Sequence, residues 1–385
     1  MMRRVLLLGG TGVIGTFLTP ELRKLGYEVV ITSRSAHTSD DPGVTYVCGN
    51  AKDDAFLDAL LEQRCDVIVD FLIYSTEAFQ KRCEKLVSHT SHYVFLSSYR
   101  VYGDNGCAPI REDSPRLLES VDDPEYLKTD EYGLTKARQE DILRACGRQN
   151  FTIIRPAITY GGDRFQLGTM EANEFLVRAL HKKAVVFPKE MLDKRTTMTW
   201  AGDVGRMIAR LVLNETAYGE TYPAATAENR TWKNVLDLYK KALGMQVKEV
   251  PLDTYARIVG RPWQIRYDRM LHRVIDNSKI CRATGIRQSE LMPLAEGLRI
   301  ELYQFTREPK FRPVDEAMQK RFDAVCAAPQ KKQEPPREKG LNGMLHRAAE
   351  YRRRGVLKKV VREKLYRITP LRKAVHGAKR LLGKK

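Results

Sequence analysis

The sequence predicts an α/β chain: a doubly wound parallel sheet, a smaller C-terminal region and a basic helical tail. Three observations carry that expectation. Short apolar runs alternate with amphipathic stretches through the first 165 residues, the first run ends in a glycine turn, and a net charge of +18 gathers near the C-terminus.

The first element is the apolar run Val5–Leu8. It leads into GGTGVIG, Gly9 to Gly15, and then into a helical pattern from Phe17 to Leu25. Strand, glycine turn and helix in that order are the context in which such a motif means dinucleotide binding, the Rossmann arrangement. Gly10 and Gly12 let the backbone turn sharply and approach a pyrophosphate at the helix N-terminus, and Gly15 lets the helix lie close to the strand. A glycine-rich turn without a ligand would read the same way; the later elements weigh against it.

A second strand, Glu28–Thr32, ends in Ser33-Arg34-Ser35. An acidic residue there would accept hydrogen bonds from the adenosine ribose of NAD. Arg34 instead can pair with a 2′-phosphate, which tips the reading from NAD towards NADP; as a solvated arginine it would leave the choice open. Further strands are expected at Thr45–Cys48, Val67–Leu72, Tyr93–Leu96 and Thr152–Arg155, with helices at Asp53–Gln63, Glu77–His89 and Glu131–Gln149. Alternation at this spacing implies a parallel sheet with ligands at the strands' carboxyl ends.

After Tyr160 the alternation becomes irregular. The reading is a cofactor-binding core over residues 1–165, with returns to the sheet around 196–230, and a substrate region over 166–310. A proline- and charge-rich linker follows over 311–339, then the tail, 340–385. From Lys331 to Lys385 there are 19 Lys and Arg against 4 Asp and Glu, a net +15 that leaves only +3 for the body.

Tyr132 and Lys136, in YGLTK, stand four residues apart on an expected helix and so share a face. A free phenol ionises near pH 10, and making one a base at neutrality takes about 4 kcal/mol. A lysine charge beside it, with a cationic nicotinamide ring, is a source of that stabilisation. The seven cysteines lack metal-like spacing and read as reduced thiols, and the seven histidines form no cluster, so no metal is expected. No apolar run approaches the roughly 20 residues of a membrane span, and no signal peptide is apparent, so a cytoplasmic protein is expected.

Taken together, these residues resemble the extended short-chain dehydrogenase/reductase family, the NAD-dependent epimerase/dehydratase group acting on nucleotide sugars. GGTGVIG looks like its cofactor turn, FLSSYRVYG (Phe95 to Gly103) its fifth-strand segment, and YGLTK its catalytic pair. FTIIRPAITYGGD (Phe151 to Asp163) resembles the stretch near the nicotinamide. TTMTWAGDVGRMI (Thr196 to Ile208) and GETYPAATAENRTW (Gly219 to Trp232) resemble the segments that follow.

The resemblance implies Ser98, Tyr132 and Lys136 as catalytic residues. It implies cofactor contacts at Gly9, Thr11, Gly12, Val13, Ile14 and Gly15, and at Arg34, Asn50, Leu72, Tyr132, Lys136 and Pro156. Tyr99, Arg100 and Arg195 are candidates for the substrate, the arginines for its phosphates or for plain ion pairs. Two departures stand out. Asp70-Phe71-Leu72-Ile73 replaces a His-Leu-Ala-Ala-like segment, and Tyr99-Arg100 replaces the Asp-Glu pair with which sugar dehydratases remove water.

The expected function is therefore an NAD(P)-dependent nucleotide-sugar epimerase or reductase, in surface polysaccharide biosynthesis. The alternative is a non-catalytic relative that senses NAD(P) or binds RNA. Relatives commonly form homodimers through the helix carrying the Tyr-Lys pair. In the tail, Leu357, Val360, Val361, Leu365 and Ile368 share a helical face beside Arg352-Arg353-Arg354, and Leu371, Val375, Ala378 and Leu382 repeat the pattern. Such helices lie on anionic membrane surfaces, dock on partner enzymes, or stay solvated; nucleic acid is disfavoured for lack of aromatic interleaving. Deleting residues 340–385 is expected to leave turnover intact and abolish co-sedimentation with anionic liposomes. Full-length protein that ignores liposomes would remove the membrane reading.

Overall fold

The computed structural model describes residues 3–327. Seven strands form one parallel sheet: β1 (Arg4–Leu8), β2 (Glu28–Ser33), β3 (Val44–Cys48), β4 (Val67–Asp70), β5 (His92–Leu96), β6 (Phe151–Pro156) and β7 (Thr221–Ala224). Their spatial order is β7-β6-β5-β4-β1-β2-β3. Val5 aligns with Val29 on one side and with Val67 on the other. The chain winds outwards from β1 to β3, then crosses back to place β4 beside β1. That reversal opens a crevice at the carboxyl ends of β1 and β4.

The sheet is covered on both faces, which is why its central strands read as unbroken apolar runs. Within β1 the side chains divide by alternation. Val5 and Leu7 join one core with helix α1 (Val13–Lys24) and helix Ala201–Leu211. Leu6 and Leu8 join the other, beneath α2 (Asp54–Leu61) and α3 (Thr76–Ser88). Gly205 lets the first pair of helices meet: a Cβ there would lie 2.9 Å from the Leu18 backbone nitrogen.

Element ends depart from the expected ones where side chains intervene. β4 stops at Asp70 because that carboxylate turns back to accept from the Leu72 N–H at 2.9 Å. The helix carrying YGLTK, α4 (Tyr132–Ala145), ends before Gly147, whose φ of +75° breaks it. Of the expected returns to the sheet over 196–230, only β7 joins it. Met198–Trp200 pairs with Ile158–Tyr160, and Arg195–Thr196 with Arg230–Thr231.

The linker expectation needs correction. Residues Glu316–Cys326 form a helix docked on helix Ala172–Leu180, with Met318 and Phe322 buried. Arg178 Nη2 donates to Asp323 Oδ1 at 2.8 Å, and its guanidinium lies 4.8 Å from the Phe322 ring centroid. Charge and proline counts concealed an apolar stripe, Met318, Phe322 and Val325, at helical spacing. The rest of the expected linker, 328–339, and the tail, 340–385, lie outside the described residues. Among the described residues no helix is long and apolar enough to cross a membrane. Phe322→Ala is expected to cost about 3 kcal/mol, seen as a lower denaturation midpoint; a true linker residue would leave it unmoved.

Candidate active site

The glycine turn after β1 is shaped by three different constraints. Gly9 sits at φ +71°, and a Cβ there would come 2.8 Å from Leu72 Cδ2. A Cβ on Gly15 would fall 2.1 Å from the Gly10 carbonyl oxygen, so only glycine lets α1 start this close to the turn. Gly12 is different: nothing lies within 4 Å of where its Cβ would be, and it caps α1 with no side-chain hydrogen bond. An uncapped N-terminus facing open space, with Thr11 and Gly12 exposed, is a cradle that fits a pyrophosphate. Val13 is half-buried beside it, and Ile14 turns into the core.

The other expected cofactor contacts lie along the same carboxyl edge. Leu72 follows β4 against Gly9. Arg34 follows β2, exposed and without an ion-pair partner among the described residues. Asn50 follows β3, its side-chain oxygen accepting from the Lys52 N–H at 3.2 Å. Pro156 closes β6.

At the end of β5 the two serines part company. Ser97 Oγ donates to Glu140 Oε1 at 2.6 Å, deep in the protein. Ser98 Oγ accepts from the Arg100 N–H at 3.2 Å, which leaves its proton to offer. Tyr132 opens α4 directly after its cap, Glu131. Its ring faces the Arg100 guanidinium, 5.2 Å away. Arg100 thus ties Ser98 and Tyr132 together, through its backbone and its side chain respectively.

One turn along α4, Lys136 is 2% exposed, with its ammonium 4.5 Å from the Phe95 ring centroid. Burial pulls its pKa down to about 8, against the upward pull of the Asp70 and Glu140 carboxylates. Asp70 is itself fully buried, and burial raises its pKa although three donors and Lys136 oppose the shift. Two of those donors are tyrosines: Tyr93 at 2.8 Å and Tyr74 at 3.0 Å, both to Oδ2. The sequence marked Asp70 only as a departure from the family pattern. A lone carboxylate in VIVDFL was the available signal for this buried network.

The three substrate candidates are engaged elsewhere. The Tyr99 hydroxyl donates to buried Asp268 at 3.1 Å. Arg100 donates to Glu131 and lies 3.2 Å from Asp268, near enough for an ion pair but misaligned for a hydrogen bond. Arg269 and Arg273 surround the same Asp268. Arg195 is exposed and donates to Asn229 Oδ1 at 2.6 Å.

Residues 5–224 match the NAD dependent epimerase/dehydratase family. The chain belongs to that family. The spore coat polysaccharide biosynthesis protein SpsK of Bacillus subtilis (strain 168) is 23% identical over 287 residues, 72% of this chain and 93% of SpsK. The Bordetella bronchiseptica enzyme WbmH, solved in complex with NAD+, superposes with a TM-score of 0.60 at 20% identity, covering 80% of this chain and 99% of WbmH. The UDP-glucose 4-epimerase of Thermotoga maritima, solved with UDP-glucose, gives 0.60 at 17% identity, covering 80% and 100%. At these identities the solved structures speak for the fold, and the matched family is NAD-dependent.

Within this family site, the lowered pKa of Lys136 has a definite sign. The ammonium is charged below about pH 8 and neutral above it. Folding correspondingly becomes more favourable as pH rises from there towards the ordinary lysine value, because the unfolded chain still holds the proton. NAD affinity is expected to weaken as pH rises through about 8. Lys136→Met should bind weakly at every pH, without that step, in fluorescence titrations across the range. An identical step in the variant would assign it to another group.

Proposed function

We propose that the protein is an NAD(P)-dependent epimerase or reductase acting on a nucleotide sugar, in surface polysaccharide biosynthesis. The observation that supports this reading is that Arg100 links Ser98, at the end of β5, to Tyr132, with Lys136 one turn along the same helix over Phe95 of β5, while α1 starts uncapped at Gly12. Bound NAD(P) supplies the hydride chemistry. Tyr132 takes the proton from the substrate hydroxyl, Lys136 holds positive charge next to the resulting phenolate, and Ser98 donates its free proton to the reacting oxygen. Epimerisation and reduction share this proton transfer. The resemblance to SpsK supports a polysaccharide pathway, and Arg34 supports NADP, since the turn after β2 offers a cation and two hydroxyls but no carboxylate.

Dehydration fits less well. Its acid/base carboxylates would stand at Tyr99 and Arg100, which are instead a buried phenol and an ion-paired guanidinium.

The test is turnover of UDP-, GDP-, CDP- and dTDP-sugars with NAD, NADP and their reduced forms. Tyr132→Phe is expected to lower kcat by about 10²- to 10⁴-fold with KM little changed. Conversion of no sugar by the unmodified protein, or an undiminished rate in the variant, would reject the reading.

A further inference from the structure

The helix Leu294–Phe305 lies beyond residues 5–224, the part matched to the family, yet one of its side chains reaches the edge of the cofactor cradle. Glu301 is 5% exposed and meets two fixed donors from different segments. Its Oε1 accepts from the Trp200 indole N–H at 2.6 Å, and its Oε2 from the Gly162 backbone N–H at 2.9 Å. The two donors stand at the ends of neighbouring strands. Met198–Trp200 pairs in parallel with Ile158–Tyr160, and Gly161-Gly162 is the turn that comes next. One carboxylate therefore bridges both ends. Burial pushes its pKa up, and the two hydrogen bonds oppose that shift.

What the bridge holds in place is a wall of the cradle. A Cβ on Gly162 would lie 3.5 Å from Val13 Cγ2, and one on Gly161 would lie 3.4 Å from Phe17 Cε2. Both partners belong to α1, and the Phe17 ring packs edge-on against Trp200 at 5.0 Å. The first N–H to bond within α1 is that of Thr16, to the Gly12 carbonyl at 3.0 Å; those of Val13, Ile14 and Gly15 are the ones a pyrophosphate meets. The helix bearing Glu301 is itself anchored. Asp203 Oδ2 accepts from the Met292 N–H at 2.6 Å, and Glu228 Oε2 from the Leu294 N–H at 2.9 Å. Gly297 presses so close to Tyr160 that a Cβ there would fall 2.1 Å from the phenol oxygen. The carboxylate is presented from a fixed helix, so the turn takes its position from Glu301 rather than the reverse.

We infer that Glu301 is a positioning residue for the dinucleotide, setting the Gly161-Gly162 turn against Val13 and so the orientation in which α1 offers its free N–H groups. The inference rests on dinucleotide binding alone and stands whether or not the substrate is a nucleotide sugar. A carboxylate suits the place because it accepts through both oxygens; an amide would turn its NH2 towards one of the two N–H groups.

The test is calorimetric titration of the full chain with NAD and with NADP, on the unmodified protein, Glu301→Gln and Trp200→Phe/Glu301→Gln. Glu301→Gln is expected to weaken the tighter-binding dinucleotide about 10-fold. Coulomb attraction alone predicts the opposite sign, because losing a carboxylate favours an anionic ligand. In the double variant Phe keeps a ring against Phe17 but no indole N–H faces the amide. Its oxygen can then turn to Gly162, and most of the lost affinity is expected to return. Hydrogen exchange on the unmodified protein gives a reading that needs no variant: saturating dinucleotide should slow exchange of the Gly162 amide. An affinity unchanged or improved in Glu301→Gln, with only the denaturation midpoint lowered, overturns the inference. So does a double variant that binds no tighter than the single one, or a Gly162 amide indifferent to the dinucleotide. No binding of either dinucleotide by the unmodified protein removes the cradle reading and the inference with it.

Discussion

The site depends on one buried ion pair. Glu140, fully buried in α4, receives Arg155 of β6 through two hydrogen bonds, at 2.8 and 2.6 Å. The same carboxylate takes the Ser97 hydroxyl at the end of β5. One side chain therefore fastens the helix of Tyr132 and Lys136 to the two strands whose ends form the floor of the cleft. Burial alone would favour a protonated Glu140, but Arg155, Ser97 and Arg144 outweigh it and hold the carboxyl below its ordinary pKa. Such a pair adds little net stability compared with apolar residues of the same shape, yet breaking it from one side costs about 3–5 kcal/mol. Its value is positional: α4 has a single depth and rotation at which both hydrogen bonds close.

With the helix fixed, Lys136 pays the cost of burial on behalf of the site. No hydrogen-bond acceptor reaches its ammonium among the described residues; it rests on the Phe95 ring, with Asp70 and Glu140 acting through space. Asp70 is held by Tyr74, Tyr93 and the Leu72 N–H, so it cannot swing across to neutralise the lysine fully. The charge is left available to whatever enters the crevice. Arg100 is held at Tyr132, its guanidinium facing the ring while Glu131 anchors it. Of the two cations, Arg100 faces the phenol ring directly, and Lys136 lies one turn along the same helix over Phe95.

How much of this was legible follows from the range of each interaction. The glycine turn, the strand alternation and the Tyr132–Lys136 spacing are local patterns, and each matched the fold to within a few residues at its ends. Only the family segment singled out Ser98 from Ser97; the physical difference between them is Glu140, 43 residues away from Ser97. Arg100 takes the ion-pair alternative, and the partner of Tyr99 was hidden because Asp268 reaches it across 169 residues, from the π-helical turn Ile265–Arg269. The helix Glu316–Cys326 was masked for another reason: its buried stripe is only one residue wide and is surrounded by charges that composition reads as solvent.

The arginine cluster also bears on which reactions this member of the family can support. Asp268 is flanked by Arg100, Arg269 and Arg273, and Arg100 is shared with Glu131. A carboxylate at position 100 would leave Glu131 without its guanidinium and face Asp268 with like charge in a dry setting, where repulsion is poorly screened. A carboxylate at position 99 would meet Asp268 directly, where the Tyr99 hydroxyl now donates. An acid/base pair for removing water therefore cannot be installed by exchanging these two residues; Asp268 and its arginines would have to be rebuilt with them. The packing between the β5 loop and the π-helical turn thus ties residues 99 and 100 to Asp268 and Glu131, so neither can be exchanged alone.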